Sequence, residues 1–252
     1  TLTVAVVCFG QRNTKQIASD VLTDWMGLHC KMVRSANGIP HVAYSRHFVY
    51  TAVAVYESIV AGYANYRSLA NQLNGLTGLP SLPAEVFLPA SLNAAYADML
   101  RNFYSAFASC SARVDSMEEA QKRNFLAQHI PQHQIEISSE YGKAIAKAII
   151  QWAATDQSNS TKQYMPLTGE GVWVPAGKPA APFWSESRAM TKDLFNAYSF
   201  KQPVYSEDTA SDFYKMANEV YTTSLALTPQ QRATALYWDD SPNGKYMTVY
   251  GH

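Results

Sequence analysis

The 252-residue sequence predicts an all-α protein, a helical bundle carrying one long Pro- and Trp-rich loop. Three kinds of observation predict it. Apolar residues recur at threes and fours over most of the chain, no stretch alternates clearly enough for a sheet, and Gly and Pro gather into a few breaks. With 47% hydrophobic residues there is material for a sizeable core, which excludes disorder. Charged residues make up only 16% while 16 Tyr and 5 Trp are present, so large buried faces are expected.

The first helix is expected from Thr14, a suitable N-cap, with Ile17, Val21, Trp25, Leu28 and Met32 as its stripe and a stop at Ala36-Asn37-Gly38. Pro40 then suits a first helical turn, and Ala43, Phe48, Ala52, Val55, Tyr56 and Ile59 carry a second stripe to Gly62. So short a connection predicts antiparallel neighbours. Asn74-Gly75, Thr77-Gly78 and the prolines at 80, 83 and 89 make the stretch from Tyr63 to Pro89 an irregular excursion. A third helix is expected from about Ala90 to Ala108, and a fourth from about Asp115 to Ala154, with Glu118 and Glu119 in its first turn and a break or kink at Pro131.

From Gln157 to Tyr205 the helical period disappears, and four of the 12 prolines fall between Pro166 and Pro182. Tyr164, Trp173, Phe183 and Trp184 predict that this loop packs on the body, since a free linker has no use for such side chains. A fifth helix is expected from about Thr209 to Leu225. A sixth opens at Thr228-Pro229-Gln230-Gln231, which has the pattern of a capping box with Pro at the first helical position, and runs to about Trp238.

The opening residues, Thr1 to Gly10, are apolar with small residues at Cys8 and Gly10 before the polar Gln11, which reads as the tail of a signal peptide. Residues 1–10 are therefore expected to be a signal remnant and 11–252 the N-terminal helical portion of a larger domain, in a periplasmic or secreted protein. The competing reading of the opening is a buried strand. A lipid anchor on Cys8 is disfavoured by Val7 before it. No apolar run reaches the roughly 18 residues that span a bilayer, because Glu57 and Lys147 interrupt the longest candidates, so no membrane span is expected. With 20 Lys+Arg against 20 Asp+Glu and no basic cluster, no nucleic-acid partner is expected. Cys30 and Cys110 are too few and too far apart for a disulfide framework or a zinc site; they read as buried thiols, with one bridge between them left open.

The search for chemistry finds no nucleophile elbow, phosphate loop, zinc-protease helix or dinucleotide fingerprint. His129 and His133 are four apart, but Pro131 lies between them and no carboxylate completes a set, so they read as surface histidines. Ser45, Arg46 and His47 diverge on a helix and cannot act as nucleophile and base; Arg46 reads as a structural cation at a helix interface. Glu57, in an apolar turn, is expected to be buried and paired with Arg46 or Arg34. No catalytic, cofactor-binding or metal residue is assigned.

The segment from Trp25 to Glu57, with Arg34-Ser35, Ile39-Pro40, Val42-Ala43, Ser45-Arg46, Ala52-Val53 and Tyr56-Glu57, resembles the opening helix pair of vanadium-dependent haloperoxidases and their relatives in the type 2 phosphatidic acid phosphatase superfamily. Many members have Asp where Glu57 stands. The runs Tyr164-Met165-Pro166, Gly169-x-Gly171-x-Trp173-x-Pro175 and Pro182-Phe183-Trp184 resemble that family's loop into its second half. Ser211-x-Phe213-Tyr214, Glu219-Val220-Tyr221, Leu227-Thr228-Pro229-x-Gln231, Tyr237-Trp238-Asp239-Asp240-x-Pro242 and Gly251-His252 continue the likeness, which spans about Asp24 to His252.

The resemblance implies vanadate or phosphate held by a Lys followed by Arg-Pro, a Ser-Gly-His turn, and an Arg and a His on a later helix. Those motifs are not in this sequence: Lys178 and Arg188 lack the separation and the following Pro, and Tyr250 stands where a Ser would precede Gly251-His252. The absence of an initial Met and the stop in mid-motif are read as signs of an incomplete frame or trimmed chain. The expectation is the scaffold half of an exported haloperoxidase-like or phosphatase-like enzyme acting on a small molecule, inert alone, its partner being the missing C-terminal half. The alternative is a stand-alone exported helical protein that binds a ligand through the Tyr164 to Trp184 loop. The first reading carries a structural expectation: an exposed apolar patch on the last two helices and around Trp173 and Trp184.

Overall fold

Seven α-helices and no strand occur among the residues described by the computed structural model, which are 14–36, 39, 41–172, 174, 179, 181–191 and 200–238. The helices are α1 (Thr14–Ser35), α2 (His41–Val60), α3 (Leu88–Phe103), α4 (Ala108–Ala127), α5 (Gln132–Ala154), α6 (Asp212–Leu225) and α7 (Pro229–Tyr237). The chain divides into two units, residues 1–157 and 158–252.

In the first unit α3 is the axis. Its sequence is rich in Ala, and every residue from Pro89 to Ala97 is buried, together with Met99 and Leu100. Small side chains on all sides let neighbouring backbones come close, so α1, α2, α4 and α5 all pack on it. The polar groups of α3 tie it to each neighbour. Ser91 Oγ donates to the Ser58 carbonyl of α2 at 2.9 Å. Asn93 accepts from the Trp25 indole of α1 at 2.8 Å and donates to the Glu118 carbonyl of α4 at 3.2 Å. Against α5 the Ser91 carbonyl lies where a Cβ on Gly142 would stand, so only glycine permits this approach.

α1 and α2 do not pair along their lengths as the short connection predicts; each lies along α3 instead. They meet near their joining turn, where the Tyr44 hydroxyl donates to the Ala36 carbonyl at 2.9 Å, and where the His29 and Phe48 rings stack at 4.2 Å. The expected fourth helix is two helices, because the chain breaks fully before Pro131, which serves as the N-cap residue of α5. α4 begins at Ala108, earlier than expected, after a turn at 104–107 that carries no Gly or Pro. Cys30 and Cys110 are both free thiols; Cys110 is buried as expected, whereas Cys30 is exposed on α1.

The excursion after α2 is ordered by the side chains around it. The Trp152 indole donates to the Asn74 carbonyl at 3.1 Å, and Leu76 is buried. At its far end Ser138 Oγ of α5 accepts from Phe87 N at 2.8 Å, taking up a donor at the start of α3 that no local side chain caps.

The second unit holds the long loop, one 3-10 turn at Trp184–Glu186, and α6 and α7. Within it the Tyr164 and Phe183 rings meet edge to face at 6.2 Å, Trp184 is half-buried, and Lys162 pairs with Glu186 at 2.5 Å. Ser211 caps α6, and the Thr228–Gln231 capping box forms at α7 as the sequence predicts. Neither α6 nor α7 has a buried residue, and Trp238 is 61% exposed, in keeping with the apolar surface expected on the last two helices. Residues 1–10, Asn37, Gly38, Pro40, Trp173, Pro175, Lys178 and 239–252 lie outside the described residues, and with them the signal reading, the first-turn proline and the terminal Gly251-His252.

Candidate functional site

The buried polar groups of the first unit gather into three centres. The first joins α1, α2 and α3 through two imidazoles. His29 is buried on the same stripe as Trp25, Leu28 and Met32, and its two ring nitrogens lie 3.2 Å from the Tyr96 and Tyr104 hydroxyls. A neutral imidazole donates from one nitrogen and accepts at the other, so one phenol gives a hydrogen bond and the other receives one. His47 of α2 stacks on Phe103 at 4.3 Å, and its buried Nδ1 has no hydrogen-bond partner. Burial, followed by the proximity of His47, lowers the His29 pKa to about 3; burial, followed by Arg46, lowers that of His47 to about 4. Burial likewise raises the Tyr96 and Tyr104 phenols. All four side chains are therefore neutral near pH 7. This centre is a packed joint, with both His29 nitrogens already engaged.

The second centre is Arg46. Its Nε donates to Asp156 Oδ2 at 2.5 Å, its Nη2 donates to the Ala153 carbonyl at 2.8 Å, and the guanidinium lies over the Tyr50 and Phe103 rings. The expected role of Arg46 as a structural cation between helices is what the structure shows. The expected partner of Glu57 is not. Glu57 is buried at 3% exposure, yet it accepts from Ser68 Oγ at 2.8 Å and from Leu69 N at 2.5 Å, both in the excursion. Arg46 lies eleven residues away on the same straight helix, about 16 Å along its axis, out of reach, and Arg34 is exposed on α1.

The third centre is at the edge of α3 and α4, where Arg101 binds Asp98 at 2.9 Å, Asp115 at 2.7 Å and Glu118 at 2.5 Å. Lys122 adds a second cation to Glu118 and Glu119. His129 and His133 are exposed, with His133 3.7 Å from Glu85, as read for surface histidines. Among the described residues no three His, Cys, Asp or Glu side chains converge on a metal position.

Sequence reasoning missed His29, Tyr96, Tyr104 and Asp156. The signal for His29 was its place one turn from Trp25 on the buried face of α1; nothing local marks Asp156, which is joined to Arg46 only by the fold.

The architecture of these helices is the vanadium haloperoxidase-like fold. The particular likeness is to a bacterial vanadium-dependent iodoperoxidase, with a TM-score of 0.67 and 23% sequence identity over 91% of this chain and 56% of that chain. This chain thus spans a little over half the length of that structure. No protein-family model and no curated protein matches the chain.

The described residues do not fit vanadate. An oxyanion of that kind needs several convergent cationic and N–H donors, whereas Arg46, Arg101 and Lys122 are each held by carboxylates of their own chain, and the cleft in which Lys143 and Lys147 join Arg101 also carries the Asp98 carboxylate. Among the described residues no helix is long and apolar enough to cross a membrane.

Proposed function

We propose that this chain is the helical supporting part of an exported enzyme of the vanadium haloperoxidase type, in which halide is oxidised by peroxide. The observation that carries the reading is the fold shared with an iodoperoxidase over 91% of this chain. Two features of the residues support the supporting role. The buried polar centres lock helices together, and the family-type anion motifs are missing from this sequence. The oxyanion site then comes from further residues of a longer polypeptide, and the chain alone is inert. Phosphomonoester hydrolysis, which the sequence resemblance also admits, takes second place because the structural likeness is to a peroxidase. Export rests on the apolar opening, Thr1 to Gly10.

The coding sequence downstream of His252 tests this reading. An open frame carrying a Lys with a following Arg-Pro and a Ser-Gly-His turn is expected; a stop codon directly after His252 contradicts it.

A further inference from the structure

Within the first unit, His29 sits between two phenols. Its ring nitrogens lie 3.2 Å from the Tyr96 and Tyr104 hydroxyls, Phe48 stacks on the imidazole at 4.2 Å, and the Trp25 ring stacks on Tyr96 at 5.3 Å with the planes 12° apart. His29, Trp25, Tyr96 and Tyr104 are all buried. One nitrogen of the neutral imidazole donates and the other accepts, so in either tautomer one of the two phenols directs its O–H at an unprotonated ring nitrogen. That pair is a buried acid hydrogen-bonded to a buried base.

A phenol gives up an electron readily only when its proton leaves as well, because the oxidised phenol is a very strong acid. The proton needs an acceptor within hydrogen-bond reach, and in a site closed to water the acceptor has to be built in. The His29 nitrogen is such an acceptor: burial keeps it unprotonated at neutral pH and keeps both phenols protonated. On oxidation the phenol O–H bond breaks, an N–H bond forms on His29, and one electron passes to the oxidant, leaving a neutral phenoxyl radical beside an imidazolium. The imidazolium then donates at both nitrogens, to the phenoxyl oxygen and to the second phenol, so no group is stranded. Return of an electron sends the proton back. The neighbouring indole has no such base, since its N–H donates to the Asn93 amide oxygen at 2.8 Å, so a radical formed on Trp25 moves to the phenols.

We propose that Tyr96, His29 and Tyr104 form a reversible one-electron site, in which a one-electron oxidant such as a peroxide-derived radical leaves a phenoxyl radical whose proton is kept on His29. The site is independent of the haloperoxidase-type role: it needs no oxyanion, and its experiment uses neither vanadate nor halide. A joint that is only structural requires one donor and one acceptor between the phenols, which glutamine supplies as histidine does. Only the redox role requires a basic nitrogen.

The test oxidises the 252-residue chain with photogenerated tris(bipyridine)ruthenium(III) and follows tyrosyl radicals by transient absorption and electron paramagnetic resonance. The folded chain is compared with the same chain unfolded in urea, with His29→Gln, and with the double variant Tyr96→Phe, Tyr104→Phe, the fold of each variant being checked by circular dichroism. The folded chain is expected to hold a tyrosyl population that outlives every tyrosyl of the unfolded chain, because a buried radical cannot meet another to couple. The double variant is expected to lose that population, and His29→Gln to cut its yield at least about tenfold, since a positioned proton acceptor is worth that much or more. Equal lifetimes in the folded and unfolded chains overturn the proposal, as does survival of the long-lived radical in the double variant. An undiminished yield in folded His29→Gln also overturns it, and if that variant does not fold, the double variant, which keeps both rings, decides.

Discussion

Arg46 and Asp156 form an ion pair at 2.5 Å between the first half of α2 and the end of α5, with side chains only 14% and 5% exposed. The Tyr50 hydroxyl donates to the same carboxylate oxygen at 3.0 Å. Removing the guanidinium takes the Arg46 cation away from a buried carboxylate, so Arg46→Leu is expected to lower the unfolding free energy by about 3–5 kcal/mol. The double variant Arg46→Leu, Asp156→Leu is expected to lose less than Arg46→Leu alone, because no charge is then stranded. Urea denaturation of the three proteins decides it, and equal stability of wild type and Arg46→Leu contradicts the assignment.

Acid sensitivity follows from the two imidazoles. Their folded pKa values, about 3 for His29 and about 4 for His47, lie below the usual 6.5, so below about pH 6.5 the unfolded chain binds protons that the folded chain refuses. Stability is fully present above pH 6.5 and falls as pH drops toward 4 and 3, by up to about 1.4 kcal/mol per pH unit for each group. His47→Phe keeps a ring against Phe103 and abandons no hydrogen bond at Nδ1. It is expected to flatten the fall in unfolding free energy between pH 6 and pH 4. An unchanged slope contradicts the neutral, buried state of His47.

Gly142→Ala tests the close approach of α5 to α3. The new methyl would meet the Ser91 carbonyl oxygen, a backbone atom that cannot swing aside. A loss of about 1–3 kcal/mol is expected, read by thermal or urea unfolding. Gly27→Ala is the control, since nothing lies near its added Cβ, and it is expected to be neutral or slightly stabilising.

How much of this was legible in the sequence depends on whether the cause was local. The stripe of α1 and the capping box of α7 are written in neighbouring residues, and they appear nearly as read. The α2 stripe does not, since of Ala43, Phe48, Ala52, Val55, Tyr56 and Ile59 only Val55 is buried, and Tyr44, Tyr50, Val53 and Ala54 carry the core face instead. The break between α3 and α4 was misplaced because no Gly or Pro marks it. The chain turns there with Tyr104 fully buried and its hydroxyl 3.2 Å from His29, a long-range contact. Glu57 shows both sides: its burial follows from the apolar residues around it, but its partners, Ser68 and Leu69, come from a loop with no periodic signal. The pairing of α1 with α2 failed because α3, rich in small residues, offers each of them a closer surface.

The central claim is that these helices support an oxyanion site without containing one. Its most direct measurement is iodide oxidation by hydrogen peroxide with the purified 252-residue chain, followed as triiodide absorbance with and without added orthovanadate. The rate is expected to equal the protein-free blank under both conditions. Saturable, vanadate-dependent turnover by this chain would contradict the claim and show that the oxyanion site lies within these 252 residues.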